Sequence, residues 1–188
     1  MDIRMVKNKL RAEYRQKRTD LPRETKEEYD SRIADVFCRL ISYKYASQVL
    51  FYASTPDEIS TEKIFQNAIR DGKACYFPRC YAESKMKYFR AYSLDELKED
   101  AFNIKAPLDS AEEYTPQPSD ICIVPAMAYD KKGYRLGYGK GFYDRFLSGF
   151  DGIKVGFCYK DFLVPDLPKG RFDVSVDLLV TQDGVVSL

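Results

Sequence analysis

The stretch Arg135-Leu136-Gly137-Tyr138-Gly139-Lys140-Gly141-Phe142-Tyr143-Asp144-Arg145 has the residue types and spacing to do chemistry. Three glycines alternate with Tyr138 and Lys140. Glycine lets a backbone turn through positive φ and approach a ligand closely. Successive N–H groups can then converge on an anion. Phe142 to Leu147 reads as the first turns of a helix ending at Gly149, and a helix start adds unpaired N–H groups and a partial positive charge. Lys140, Arg135 and Arg145 add full charges. Together these features describe a polyphosphate cradle, with Asp144 at its exit as a carboxylate able to hold a metal. A glycine-rich turn that merely closes a hairpin has the same spacing, and Asp130-Lys131-Lys132-Gly133 upstream is an ordinary turn signal. The stretch is not a Walker A loop, because no Ser or Thr follows a Gly-Lys pair. It is not the dinucleotide fingerprint either, whose last two glycines have two residues between them, not one.

Composition narrows the chemistry. The chain has 188 residues, enough for one domain (1–188) with a substantial core. Thirty basic and 29 acidic residues leave a net charge of +1, which argues against nucleic acid as a partner. There is no histidine, so the commonest general base and transition-metal ligand is missing. Carboxylates, Lys, Arg, Tyr, backbone dipoles or a hard metal ion must carry any catalysis. Five cysteines, odd in number and without metal-ligand spacing, point to reduced thiols and a cytoplasmic location. No signal peptide or membrane span is expected.

The remaining elements must position that stretch. Residues 2–18 read as a basic helix with Ile3, Val6, Leu10 and Tyr14 on a narrow apolar face. Most of its charges read as a solvated face, while Lys7 and Arg11, four apart, share a side that can point at an anion. After Leu21-Pro22 a second helix runs to about Ser42. Gln48 to Ala53 is a buried strand, followed by the loop Ser54–Glu58. A helix then runs from a Ser60 cap to Arg70, with Ile59 and Ile64 as a staple and Gly72 as its stop. Glu58 sits at the strand's carboxyl end, where open α/β sheets bind ligands; an acid there also simply favours the helix dipole. Lys73–Phe77, interrupted by Pro78-Arg79, and Met86–Tyr92 read as strands, and Ser93–Lys98 as a short capped helix. Residues 103–119 read as a surface excursion. Ile121–Pro125, Ile153–Tyr159 and Asp177–Thr181 read as further strands, with 160–176 irregular. Alternating strands and helices predict a three-layer α/β/α, Rossmann-like fold, with a mostly parallel or mixed sheet and helices on both faces.

Val124-Pro125-Ala126-Met127-Ala128-Tyr129-Asp130, then Gly133, then Arg135 through Arg145, resembles the signature of the 5-formyltetrahydrofolate cyclo-ligase family. Lys7-Asn8-Lys9-Leu10-Arg11 is similar to the family's N-terminal ATP-contacting segment. Asp57-Glu58-Ile59-Ser60-Thr61 is similar to its folate-contacting segment, and Phe172-Asp173-Val174-Ser175-Val176-Asp177 to its C-terminal motif. The chain departs from the pattern at Phe142, in place of the first tyrosine of a pair, and at Phe172, where a histidine often stands.

The resemblance implies ATP-dependent, Mg²⁺-dependent conversion of 5-formyltetrahydrofolate to 5,10-methenyltetrahydrofolate, with an iminium phosphate intermediate. It assigns ATP contacts to Lys7, Asn8, Lys9, Leu10, Arg11 and to Arg135, Leu136, Gly137, Tyr138, Gly139, Lys140, Gly141, Phe142 and Tyr143. Lys140 and Arg145 become catalytic charges. Ala53, Glu58 and the Tyr138–Phe142 segment become folate contacts, and Asp144 with Asp173 the Mg²⁺ carboxylates. Tyr52 joins the pocket. Arg79 is left outside it, as a solvated arginine or a contact for the folate's glutamate tail. The implied partners are ATP and folate, including its polyglutamates, for a monomer. A regulatory nucleotide-binding module, and an α/β enzyme acting on sugar phosphates or coenzyme A esters, are the competing readings. Glu58 weighs against the first, and the basic N-terminal helix with the Arg-Leu-Gly motif against the second.

Overall fold

A computed structural model of the chain describes residues 3–100 and 104–188. Asp2, at the start of the expected first helix, and Asn103, at the start of the expected excursion, lie outside the described residues.

The seven-stranded sheet has the order β12-β11-β9-β6-β1-β2-β3. Its members are β1 (Gln48–Leu50), β2 (Ala74–Cys80), β3 (Met86–Arg90), β6 (Ile121–Val124), β9 (Ile153–Phe157), β11 (Leu178–Thr181) and β12 (Gly184–Val186). Five neighbours run parallel, and β3 and β12 close the edges antiparallel. The parallel strands are apolar on both faces, as burial on both sides requires. The sheet is therefore mixed and mostly parallel, as expected.

The helices α1 (Ile3–Thr19), α2 (Arg23–Arg39), α3 (Ile41–Tyr45), α4 (Glu62–Arg70) and α5 (Phe142–Leu147) take different places around it. On one face α2 and α4 bury Phe37 against Phe157 and Phe65 against Phe51 and Phe77. Phe77 pairs with Phe89 across β2 and β3, so Tyr88 points to the opposite face, where it meets Phe146 of α5. That second face carries the short α5. The rest of its cover includes Tyr129 of a small sheet made of β7 (Ala128–Asp130), β8 (Arg135–Leu136) and β10 (Leu163–Val164). Tyr129 lies so close to Gly156 of β9 that a Cβ there would stand 2.6 Å from its ring.

Several local expectations are corrected. Pro78 does not interrupt its strand: β2 runs through it and pairs Pro78 with Tyr88. The Tyr76 carbonyl accepts from Phe51 at the end of β1. By alternation Pro78's missing N–H faces the side where β1 has already left, so no ladder bond is lost. The second helix stops at Arg39, and Leu40 separates it from α3. The α4 cap is Thr61, whose hydroxyl donates to Tyr52 O, while Ser60 Oγ accepts from the Glu62 amide at 3.3 Å. Only Leu94–Glu96 of the short helix after β3 is helical, and Ser93 does cap it. Residues 160–176 are not wholly irregular, since β10 pairs parallel with β7. The excursion contributes β5 (Lys105–Ala106), paired with β4 (Lys98–Glu99). Further on it lies along β3: Arg90 N–H donates to Glu112 O, and Tyr114 N–H to Tyr88 O. It thus covers an edge otherwise open to pairing with another chain.

From β1 the chain moves to β2 by way of α4 on one face. It later leaves β6 for β9 by way of α5 on the other. Right-handed crossovers in opposite directions put those helices on opposite faces. The carboxyl ends of β1 and β6 are left flanking a crevice at the point where strand order reverses.

Candidate active site

A cavity of about 460 Å³ opens at that crevice. The segment after β1 supplies Tyr52, Ala53, Thr55 and Glu58, and Pro125 follows β6. The glycine stretch supplies Arg135, Gly137 to Asp144, and α1 reaches across it with Lys7 and Arg11. Asp173 completes the charged end, and Pro78, Cys80, Met86 and Ile104 form an apolar far end.

At the charged end each carboxylate is held by a cation. Lys7 Nζ lies 2.5 Å from Asp173 Oδ2, and the Gly170 N–H donates to the same oxygen. Burial alone would raise the Asp173 pKa. The Lys7 hydrogen bond, the Gly170 N–H and the charges of Lys7 and Arg135 outweigh it and hold the carboxyl below its ordinary value. Arg135, buried, donates from Nη2 to Asp144 Oδ1 at 2.6 Å and from Nη1 to Val174 O. The Val174 N–H also donates to Asp144 Oδ1. Arg135 thereby fixes both the start of the glycine stretch and the segment after Asp173.

Arg11 lies along the glycine backbone. Its Nε donates to Gly137 O at 2.8 Å and its Nη1 to Asn8 Oδ1. Gly139 has φ +91°, and a Cβ there would stand 3.1 Å from the Arg11 guanidinium carbon. Gly141, φ +74°, precedes α5 under the Arg145 guanidinium. Lys140 is exposed and, among the described residues, makes no ion pair. The positive φ at 139 and 141 favours glycine, and a Cβ at either would also press on an arginine guanidinium. The Arg11 guanidinium lies over that backbone, a feature the competing reading of a turn that merely closes a hairpin does not call for.

Glu58 is 8% exposed. Its Oε2 accepts from the Thr55 N–H at 2.9 Å and from the Thr55 hydroxyl, a closed turn that aims the carboxylate into the cavity. Burial and then the facing Glu58 carboxylate push the Tyr138 phenol well up, with Arg18 opposing. Tyr52 donates to Ile59 O, which leaves its ring as cavity wall. The Tyr143 hydroxyl is buried beside Tyr88 and Cys122, and burial pushes its phenol well up.

Of the residues singled out in the sequence, Lys7, Arg11, Ala53, Glu58, Arg135, Gly137–Asp144 and Asp173 are brought together. Asn8 and Lys9 are exposed on α1, Leu10 packs against the core, and Leu136 is fully buried behind the cavity. Arg145 lies outside the lining and reaches back toward Lys140 O at 3.5 Å. Arg79 is neither solvated nor free: Nη1 donates to Pro107 O, and Nε lies 3.2 Å from Asp109. Phe172 is 77% exposed beside Asp173, with Arg171 over its ring. Arg18, read as part of a solvated face, is buried.

Among the described residues no three or more acidic, cysteine or histidine groups are clustered so as to hold a metal ion. Two carboxylates on one cavity do suit an ion such as Mg²⁺, which is commonly held by one or two carboxylates together with phosphate oxygens. No helix among the described residues is long and apolar enough to cross a membrane.

The profile of the 5-formyltetrahydrofolate cyclo-ligase family matches residues 3–182. A 5-formyltetrahydrofolate cyclo-ligase of Haemophilus influenzae is 30% identical over 181 residues, covering 93% of this chain and 97% of its own. The mouse cyclo-ligase is 27% identical, with 98% of each chain covered. The solution structure of Aquifex aeolicus 5,10-methenyltetrahydrofolate synthetase superposes with a TM-score of 0.84 at 30% identity, covering 96% of this chain and 91% of that one. The Mycoplasma pneumoniae synthetase, at 22% identity and a TM-score of 0.76, shares the fold.

Proposed function

The chain belongs to the 5-formyltetrahydrofolate cyclo-ligase family, and from that premise we propose ATP-driven closure of 5-formyltetrahydrofolate to 5,10-methenyltetrahydrofolate within this one unit, releasing ADP and phosphate. The observation that carries the reading is one cavity lined by a cationic, glycine-rich set, an apolar set and the fixed carboxylate of Glu58.

A formamide oxygen leaves poorly and its carbon is a poor electrophile. Transfer of the γ-phosphoryl group to that oxygen breaks the bond to ADP and makes an N5-iminium phosphate. N10 then attacks the activated carbon and loses its proton. The C–O bond breaks, phosphate departs, and the ring is left as the methenyl cation. Such chemistry needs charge neutralisation and in-line placement more than a strong base, which suits a chain without histidine.

In this reading Lys7 and Arg11 meet the phosphates from α1. Gly137, Gly139 and Gly141 let the chain approach them closely, and Lys140 follows the charge moving to the transferred group. Arg145 is a supporting charge. Glu58 accepts from pterin donors. Tyr138 and Phe142 wall the flat rings, whose remainder extends toward Pro78, Cys80, Met86 and Ile104. Asp144 and Asp173 would hold Mg²⁺ with phosphate oxygens, and the ion would neutralise phosphate charge. Lys7 would then exchange Asp173 for phosphate.

The test is absorbance in the methenyl-folate band with purified protein, 5-formyltetrahydrofolate, Mg²⁺ and ATP. An ATP-dependent rise is expected. ATP binding by calorimetry without that rise would sink the reaction and favour a regulatory module.

A further inference from the structure

Arg18 lies at the C-terminal end of α1, remote from the phosphate end of the cavity, and is 8% exposed. Among the described residues no carboxylate pairs with it. Its partners are three backbone carbonyls: Nη1 donates to Asp57 O at 2.8 Å, and Nη2 to Ala126 O at 2.6 Å and Met127 O at 3.3 Å. The guanidinium lies 5.7 Å from the Phe162 ring centre, and its Nε is buried without a partner. A buried cation with no direct ion pair and one idle donor is costly to keep, even with the Glu58 and Asp30 carboxylates in its neighbourhood. Its geometry says what it holds. Asp57 belongs to the loop after β1, and Ala126 and Met127 follow β6. These are the two segments that flank the crevice.

We propose that Arg18 is a positioning residue for the folate side of the reaction: it clamps the Thr55–Glu58 turn to the segment after β6 and so fixes the Glu58 carboxylate. The inference rests on the reading of Glu58 as the folate contact. Asp57 is the residue next to Glu58, and the Glu58 N–H closes the same turn onto Thr55 O at 3.0 Å. Pulling on the Asp57 carbonyl therefore sets the direction of the Glu58 side chain. The phosphate end has anchors of its own. Lys7 is tied to Asp173 and Arg11 to Gly137 O, and Lys7 is about 16 Å along the helix from Arg18. Loss of the clamp should loosen the folate side and spare the ATP side.

The experiment compares Arg18→Met, Arg18→Lys and Glu58→Gln with the intact chain, by steady-state kinetics and amide hydrogen exchange on the free protein. Arg18→Met is expected to raise the folate KM about tenfold or more, one lost fixed contact, with the ATP KM within about twofold. Thr55 and Glu58 amides should exchange faster while those of the Lys7–Arg11 turn do not. Arg18→Lys keeps the charge without the planar fork and should fall between, and it carries the test where the Met variant fails to fold. Exchange that is unchanged at Thr55 and Glu58, or accelerated uniformly along the chain, overturns the clamp. A folate KM unmoved by Arg18→Lys, while Glu58→Gln raises it, overturns it too. Should Glu58→Gln itself leave the folate KM unchanged, the folate reading of Glu58 fails instead, and the exchange pattern alone decides whether Arg18 clamps the turn.

Discussion

The Lys7 ammonium sits 2.5 Å from the Asp173 carboxylate, across 166 residues of chain, and ties the first helix to the segment that leads into β11. The pair gives a pH signature with a definite sign. Asp173 titrates below its ordinary 3.8 because Lys7 and the Gly170 N–H outweigh its burial. A depressed folded pKa contributes stability that is fully present above the unfolded value and is lost as pH falls through the folded one. Denaturation followed from pH 5 downward (about two units) should therefore show a steeper loss in the intact chain than in Asp173→Asn, starting near 3.8. Parallel curves would mean that the tether carries no net stability.

Lys140 is the cleanest probe of the phosphate reading because it contributes little to the fold. It is exposed and has no ion-pair partner among the described residues. Lys140→Ala should leave unfolding free energy within about 0.5 kcal/mol of the parent. It should lower kcat by about a hundredfold or more if the ammonium follows charge onto the transferred phosphoryl group. Normal turnover in that variant would remove Lys140 from the mechanism.

The glycines separate conformation from ligand approach. A Cβ on Gly137 would meet nothing within 4 Å, whereas one on Gly139 would face the Arg11 guanidinium at a φ of +91°. Gly139→Ala should destabilise the protein by about 1–3 kcal/mol. Gly137→Ala should melt within about 2 °C of the parent yet raise the ATP KM, since only a bound phosphate would meet the new methyl. Thermal melts with ATP titrations check both. An unchanged ATP KM in Gly137→Ala would place the phosphates elsewhere.

Legibility in the sequence followed from what kind of group does the work. The glycine stretch and Glu58 could be read because their chemistry is carried by residue type and local spacing. Arg18 could not, since its acceptors are the carbonyls of Asp57, Ala126 and Met127, and a carbonyl leaves no mark on side-chain identity. Apart from Lys7 and Arg11, the basic run on the first helix therefore read as a solvated face. Pro78 reads as a break because local sequence does not show that β1 ends beside it, which removes the ladder cost. Cys80, Met86 and Ile104 are ordinary apolar residues on separate segments, and only strand order brings them to one cavity.

Cys80 reports on that apolar end. It lines the cavity with its side chain partly accessible. Burial, and then the nearby charge of Asp100, push its thiol up to about 11. The thiolate is the reactive form, so near pH 8 about a thousandth of Cys80 is reactive, roughly a hundredfold less than for a thiol titrating at 9.0. Alkylation by iodoacetamide, followed on the Cys80 peptide by mass spectrometry, should be slow at neutral pH. It should quicken about tenfold per pH unit until the thiol titrates. Saturating 5-formyltetrahydrofolate should slow it further, because a ring system reaching Met86 and Ile104 covers the sulfur, whereas ATP alone should not. Protection by ATP and none by folate would reverse the two ends of the cavity, putting the nucleotide at Pro78 and the folate under Lys7.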